Sequence, residues 1–214
     1  FRQAYSNDNN IGNADFISKA EPGEQGPAGD ISWYEAAKYA NYLTSGNASN
    51  GVYKFENGPL QGGSDESASF SGVDREAALR NYGVYYAVTS EDEWYKAAYF
   101  NLEERKYYQF AHGSNSPPRQ ATAGDDPAVG WNYDNDFGDG PWKATSGTRE
   151  QNGTLNMMGN LSELVRGMLG DVVTRGGNFK RGAKRMRSDY RPVTDPAKEH
   201  PLFGFRIVRV SSGQ

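Results

Sequence analysis

The sequence predicts a single, loop-rich α+β domain, and three observations support this prediction. Two segments have helical periodicity, three short runs have the composition of β-strands, and 26 Gly and 10 Pro interrupt the rest of the chain. A chain of 214 residues has the length of one large domain or two small ones. No Pro-rich or Ser-rich linker divides it, so residues 1–214 are predicted to form one domain.

Each helix is predicted from a capping box. In this motif, the side chains of an N-cap Ser and of a Glu three residues later each accept a hydrogen bond from the other's backbone N–H. Ser-Trp-Tyr-Glu at 32–35 predicts a helix from about 33 to 43. Ser-Glu-Asp-Glu at 90–93 predicts a second helix from about 91 to 100, whose acidic first turn also complements the helix dipole.

Three short strands are predicted from β-branched and aromatic runs at 83–88, 172–175 and 205–210. Polar and turn-forming residues dominate two long stretches, 48–77 and 113–147. Loops of this length are uncommon inside a compact domain and are usually functional or mobile.

The composition excludes several functions. The net charge of −4 excludes a bulk polyanion binder, and no stretch approaches the roughly 18 apolar residues of a membrane span. The chain contains no Cys, which excludes disulfides, thiolate metal sites and Cys nucleophiles. Its first residues lack the pattern of a signal peptide, and the missing initiator Met suggests a processed or trimmed chain.

No catalytic residue is predicted from the remaining candidates. His112 and His200 lie far apart and lack the i,i+3 or i,i+4 spacing of a helical metal site, so both are predicted to be surface residues. A Ser-His-Asp hydrolase has no support, because no G-x-S-x-G nucleophile elbow is present.

Four separated segments resemble one family in the same order. The segment 30–43 contains DISWYEAA, 86–99 reads YAVTSEDEWYKAAY, 155–163 reads LNMMGNLSE, and TRGGNF at 174–179 is followed by RSDYR and a terminal GFR. They resemble the first helix, the LPTEAEWEYAA helix, the GLYDMxGNVWEW element and the RGGSW…R…R…GFR ending of the formylglycine-generating enzyme (sulfatase-modifying factor) domain family. The family's usual opening strand pair is missing.

The resemblance implies a variant of the C-type lectin-like fold, with two helices, short twisted sheets and long ordered loops. In this family, calcium ions commonly stabilise such loops. At a first calcium site, Asn156 and Glu163 would give side-chain oxygens, and Gly159 and Leu161 would give backbone carbonyls. Such a mixed oxygen shell suits calcium. From the residues alone, a Gly-Asn turn with a surface Glu explains the segment as well.

The resemblance also implies a second calcium site in the preceding loop. Asn132 and Asp139 would give side-chain oxygens there, and Tyr133 and Pro141 would give carbonyls. The loop departs from an EF-hand, because the terminal Glu and the flanking helices are missing. A solvated acidic loop is an equally good interpretation.

The family's oxidase activity depends on two copper-binding cysteines, and the position of the first falls on or near Arg181. Because the chain has no Cys, the resemblance implies neither that activity nor copper. Basic residues gather in this region of an otherwise acidic chain, which suits an anionic ligand such as a sulfated or uronic glycan. Arg187 and Arg191 occupy the family's R…R positions and are expected to pair with internal acids or carbonyls. The candidate ligand-binding residues are Asn178, Lys180, Arg181, Lys184 and Arg185.

The leading hypothesis is a noncatalytic, calcium-stabilised binding or structural module outside the cytoplasm, because EDEWYKAAY at 91–99 looks like secreted bacterial members. Its partner would be an anionic glycan or another surface protein. Nucleic acid is not expected, since the charge is −4 and no recognised module is present. Two alternatives stay open: a metal-dependent, oxygenase-type enzyme with a relocated active site, and a self-assembling surface protein.

Overall fold

Both predicted helices begin at their capping boxes. The computed structural model describes residues 26–55, 70–121, 129–135 and 140–212. Helix α1 (Trp33–Ser45) starts after Ser32, whose hydroxyl accepts a hydrogen bond from the backbone N–H of Glu35 at 3.2 Å. It ends at Gly46, whose positive φ of 77° suits the left-handed C-cap position.

The structure adds a helix that was not predicted, so the described residues form three α-helices rather than the two expected. Helix α2 (Arg75–Tyr82) is capped by the side chain of Asp74 and lies at the end of the polar stretch 48–77. Only Ala78 of this helix is buried, so the sequence carries little helical periodicity. The second predicted helix is α3 (Glu91–Tyr99).

The strands in the described part of the chain form four small sheets. The bounds in chain order are β1 (Tyr53–Phe55), β2 (Phe70–Val73), β3 (Val84–Val88), β4 (Phe100–Asn101), β5 (Lys106–Tyr107), β6 (Ser162–Arg166), β7 (Val172–Arg175), β8 (Val193–Thr194), β9 (Phe203–Gly204) and β10 (Ile207–Ser211). Three antiparallel pairs join β1 to β2, β3 to β10 and β4 to β5, and a four-stranded sheet has the order β8-β7-β6-β9. The three predicted strands correspond to β3, β7 and β10.

The strand pair β6 and β7 separates two hydrophobic cores. Leu164 and Val172 belong to the core beneath α1, whereas Val165 and Val173 belong to the core beneath α3. Because neighbouring residues of a strand point to opposite faces, both faces of this pair are buried. Among the residues that the structure describes, no helix combines the length and the apolar character that a membrane span needs.

Candidate functional site

The first predicted calcium site contains an ion pair between a buried carboxylate and a partly buried guanidinium. Glu163 lies on β6, and its carboxylate accepts hydrogen bonds from Nε and Nη2 of Arg206, each at 2.5 Å. The indole Nε1 of Trp94 donates to the same carboxylate at 2.5 Å. Burial lowers the pKa of Arg206, but the charge of Glu163 and its hydrogen bonds outweigh this effect and hold the pKa above its ordinary value.

The loop before β6 turns tightly around the other predicted ligands. Asn156, Gly159 and Asn160 have positive φ values of 59°, 73° and 59°. The Asn156 amide donates to the carbonyl of Ala144 at 3.0 Å. A pocket of about 290 Å³ is lined by Asn156, Leu161 and Glu163 together with Arg206, so three of the four predicted ligands meet at one place.

These residues do not fit a divalent cation. Calcium affinity rises with the number of charged ligands, and Glu163 is the only carboxylate among the four predicted ligands. Its charge is already neutralised by the guanidinium of Arg206, which lies in the same pocket.

The second predicted calcium site is only partly described. Asp139 lies outside the described residues. Asn132 is buried, donates to the carbonyl of Gly140 at 3.1 Å and accepts from the amide of Asn135 at 2.6 Å. The hydroxyl of Tyr133 donates to the carbonyl of Pro118 at 2.7 Å. Calcium in this loop, including the expected contribution of the Pro141 carbonyl, stays a prediction.

Asn160, which was not predicted, connects the loops of the two sites. Its backbone N–H donates to the carbonyl of Asn132 at 2.8 Å, and its side-chain oxygen accepts from the backbone N–H of Trp142 at 2.7 Å. The two calcium loops implied by the resemblance therefore form one hydrogen-bonded unit.

A groove of about 460 Å³ lies between the 3₁₀ helix Ala183–Met186 and the loop that follows β5. The lining residues are Phe110, Asn115 and Pro117 on the loop side and Ala183, Lys184, Arg187, Asp189 and Tyr190 on the other side. Of the five predicted ligand-binding residues, only Lys184 lines this groove. The aromatic and amide residues that face it were not predicted.

The remaining predicted ligand-binding residues have different surroundings. Asn178 is buried, and its amide donates to the hydroxyl of Ser162 at 2.9 Å, so its side chain supports the turn rather than the surface. The ammonium of Lys180 lies 5.4 Å from the centre of the Phe179 ring. Arg181 and Arg185 are both exposed. Arg185 lies next to the groove, because its guanidinium stacks on the ring of Tyr190 at 4.6 Å.

The expected pairing with an internal acid is found for Arg191 but not for Arg187. Arg191 binds the buried carboxylate of Glu91 at 2.7 Å and Asp171 at 2.9 Å. Arg187 instead binds an exposed acid, Asp189, through two hydrogen bonds of 2.9 and 2.8 Å. The pairing of Arg187 is therefore made at the surface of the groove and not inside the protein.

The two histidines pack beside aromatic rings. The ring of His112 lies 5.2 Å from that of Trp131, and the ring of His200 lies 4.8 Å from that of Phe203. Burial lowers the pKa of both imidazoles. Both side chains are partly buried, which differs from the surface positions that were predicted.

Solved structures support the fold at low sequence identity. Treponema denticola variable protein 1 is 17% identical with a TM-score of 0.57, and the match covers 94% of this chain and 78% of that one. CarF is 18% identical with a TM-score of 0.60, over 90% and 70% of the two chains. PvdO from Pseudomonas aeruginosa is 16% identical with a TM-score of 0.51, over 88% and 63%. Identities this low establish the fold alone.

Sequence comparison gives the family. No curated protein matches the sequence significantly. The family model described as "Sulfatase-modifying factor enzyme 1-like domain" matches residues 7–211, nearly the whole chain, which confirms the predicted resemblance and α+β fold. The chain therefore belongs to the sulfatase-modifying factor enzyme 1-like domain family.

Proposed function

We propose that the chain is a noncatalytic binding module that takes an anionic glycan in the groove between the 3₁₀ helix and the 110–117 loop. The observation that carries the proposal is the groove of about 460 Å³ with Lys184 on its wall. Pockets of roughly 300–1,000 Å³ are typical of small-ligand sites. In the described part of the chain, Lys184 makes no hydrogen bond or ion pair within 4 Å, and Asp189, the acid with which it interacts electrostatically, is already paired with Arg187. Its ammonium can therefore bind a carboxylate or sulfate.

The other lining groups suit a sugar. Tyr190 offers an aromatic ring, which carries apolar surface, and Asn115 offers a polar group for hydroxyls. Phe110 is only 2% exposed and belongs to the hydrophobic core behind the groove. The groove itself contains two cations and one acid, since Arg187 is paired with Asp189 while Lys184 is not. Arg185 adds a third positive charge beside Tyr190. A local excess of positive charge on a chain of net charge −4 favours an anionic ligand.

The absence of Cys from the sequence supports a role without the family's copper oxidase chemistry. The proposal places the module outside the cytoplasm, on the resemblance to secreted bacterial members. We propose calcium only for the loop of Asn132. Within the described residues, no Lys or Arg side chain contacts the side chain of Asn132. Equilibrium dialysis with ⁴⁵Ca²⁺ on the parent and on Asn132→Ala tests it, and equal binding by both would reject this site.

A glycan array that carries neutral, sulfated and uronic glycans tests the function. We expect acidic glycans to bind and Lys184→Gln to weaken their binding by about tenfold or more, the effect of losing one charge-assisted hydrogen bond. Lys198→Gln, at an exposed position away from the groove, is the matched control and should bind like the parent. Equal binding of acidic glycans by the parent and Lys184→Gln, or a preference for neutral glycans, would reject the proposal.

Sedimentation distinguishes glycan binding from the alternative function, a self-assembling surface protein. An array without acidic hits, together with concentration-dependent oligomers in analytical ultracentrifugation, would favour self-assembly over glycan binding.

A further inference from the structure

We propose that Arg206 takes the position of the structural cation in the 156–163 element, so that a guanidinium holds this part of the fold instead of a calcium ion. The inference does not depend on the proposed ligand. It concerns only Arg206, Glu163 and the loop between Glu150 and β6.

The contacts of Arg206 are those expected of a bound cation. Nε and Nη2 bind the two oxygens of the Glu163 carboxylate at 2.5 Å each, and Nη2 also donates to the carbonyl of Leu155 at 3.1 Å. Of the four ligands that the family resemblance assigns to calcium here, Arg206 binds Glu163, and it takes the carbonyl of Leu155 in addition. The planar guanidinium can satisfy both at once, because its N–H donors form a fixed fork.

Arg206 also lies in the space that the ion would need. It lines the pocket of about 290 Å³ together with Asn156, Leu161 and Glu163. A divalent cation bound to Glu163 would stand within a few ångströms of the guanidinium, and the repulsion is twice that between two unit charges. Calcium bound at Glu163 would therefore compete with Arg206 for this carboxylate.

A second buried carboxylate strengthens the need for this positive charge. Glu150 is 4% exposed, and its Oε1 accepts from the backbone N–H of Met157 at 3.0 Å and from Nε1 of Trp131 at 3.3 Å. Its other oxygen has no hydrogen-bond partner in the described structure. Burial raises the pKa of Glu150, and the positive charge of Arg206 offsets this effect only in part. Arg206 thus pairs with Glu163 and also favours the charged form of a second buried acid.

The backbone of Arg206 is fixed from outside this pocket. Its carbonyl accepts the backbone N–H of Thr89 at 3.1 Å, directly beside the pairing of Ile207 with Val88 in the β3–β10 pair. The β3–β10 pair therefore positions the guanidinium of Arg206 beside Glu163, independently of any ion.

Calcium stoichiometry tests the inference. Elemental analysis of the parent and of Glu163→Gln, each dialysed against calcium, should give the same number of ions per chain. Fewer ions on a folded Glu163→Gln variant would overturn the proposal. Should that variant fail to fold, the parent and Asn132→Ala decide: an ion that stays bound to Asn132→Ala would contradict a guanidinium in the first site, whereas a parent without ions, or one whose ion is lost in Asn132→Ala, agrees with it.

Thermal melting in excess chelator gives a second readout. Arg206→Gln should lower the melting temperature by about 10 °C, because a buried carboxylate loses its counter-ion. Glu199→Gln, at an exposed position, is the control and should melt like the parent. Equal melting of Arg206→Gln and the parent in chelator would show that the guanidinium does not hold the element, and would overturn the proposal.

Discussion

The carboxylate of Glu91 binds the guanidinium of Arg175 through Nη2 at 2.5 Å and Nε at 3.0 Å, across 84 residues of sequence. Glu91 is the first residue of α3, and Arg175 is the last residue of β7. The remaining Nη1 of Arg175 donates to the carbonyls of Ser188 and Tyr190 at 2.8 and 3.0 Å. The cluster therefore positions the segment that forms one wall of the groove.

Removing the charge of Glu91 should destabilise the protein strongly. In Glu91→Gln, Arg175 and Arg191 lose their shared carboxylate, and the loss of one partner from a buried pair costs about 3–5 kcal/mol. Urea denaturation followed by circular dichroism measures the free energy of unfolding. The control is Glu76→Gln, whose partner Arg80 is exposed, and it should change the free energy of unfolding by less than about 0.5 kcal/mol. Equal losses in the two variants would contradict the prediction.

The same cluster makes stability depend on pH. Burial raises the pKa of Glu91, but hydrogen bonds from Arg191 and Arg175 outweigh burial and hold the pKa below its ordinary value. A lowered pKa contributes stability that is complete above the unfolded value of about 4.3 and is lost as the pH falls through the folded value. We expect the urea midpoint of the parent to fall on acidification below this value, and that of Glu91→Gln to fall less. If the urea midpoints of the two proteins changed with pH in parallel, Glu91 would not be the source of the pH dependence.

Local signals in the sequence were sufficient for the helices that carry capping boxes. Ser32 and Ser90 mark α1 and α3, since each cap needs only residues within one turn. Helix α2 has only Ala78 buried and therefore gives little periodicity. Strand β6 reads Ser-Glu-Leu-Val-Arg, and its polar residues gain partners only from distant segments, so it could not be distinguished from a loop.

The site depends on contacts that one sequence does not reveal. Lys184 was predicted because the cluster of basic residues is local. Phe110 and Asn115 meet it only after the loop that follows β5 folds beside the 3₁₀ helix. Asn178 looked available on its turn, yet Ser162, sixteen positions earlier, accepts its amide. The pairing of Glu163 with Arg206 spans 43 positions and could not be predicted from the sequence either.

Gly159 should tolerate no side chain. Its φ is +73°, and an added Cβ would lie 2.2 Å from the carbonyl oxygen of Asn132. In Gly159→Ala, the backbone of two loops must move, so we expect the free energy of unfolding to fall by more than about 3 kcal/mol. Gly46→Ala is the matched control, because φ is +77° there but no atom lies within 4 Å of the new Cβ. It should lose only the about 1–2 kcal/mol of a left-handed non-Gly residue. If urea denaturation gave similar losses of unfolding free energy for Gly159→Ala and Gly46→Ala, crowding at Gly159 would be unimportant.

Asn41 should be essential for strand β1. It is fully buried on α1, and its amide donates to the carbonyl of Tyr53 at 2.7 Å and accepts from the backbone N–H of Tyr53 at 2.8 Å. The same amide donates to the carbonyl of Ala48 at 3.1 Å, so one side chain satisfies three backbone groups. In Asn41→Ala these groups lose their partner, and each buried unsatisfied group costs about 1–3 kcal/mol.

We therefore expect Asn41→Ala to lower the free energy of unfolding by about 3 kcal/mol or more and to speed hydrogen exchange of the Tyr53 amide. Asn50→Ala removes an exposed amide from the neighbouring turn and should leave both measurements unchanged. Urea denaturation and hydrogen exchange on the same three proteins give the comparison. If the Tyr53 amide stays equally protected in Asn41→Ala, β1 is held by its pairing with β2 alone, because that antiparallel ladder is the other backbone contact of the strand.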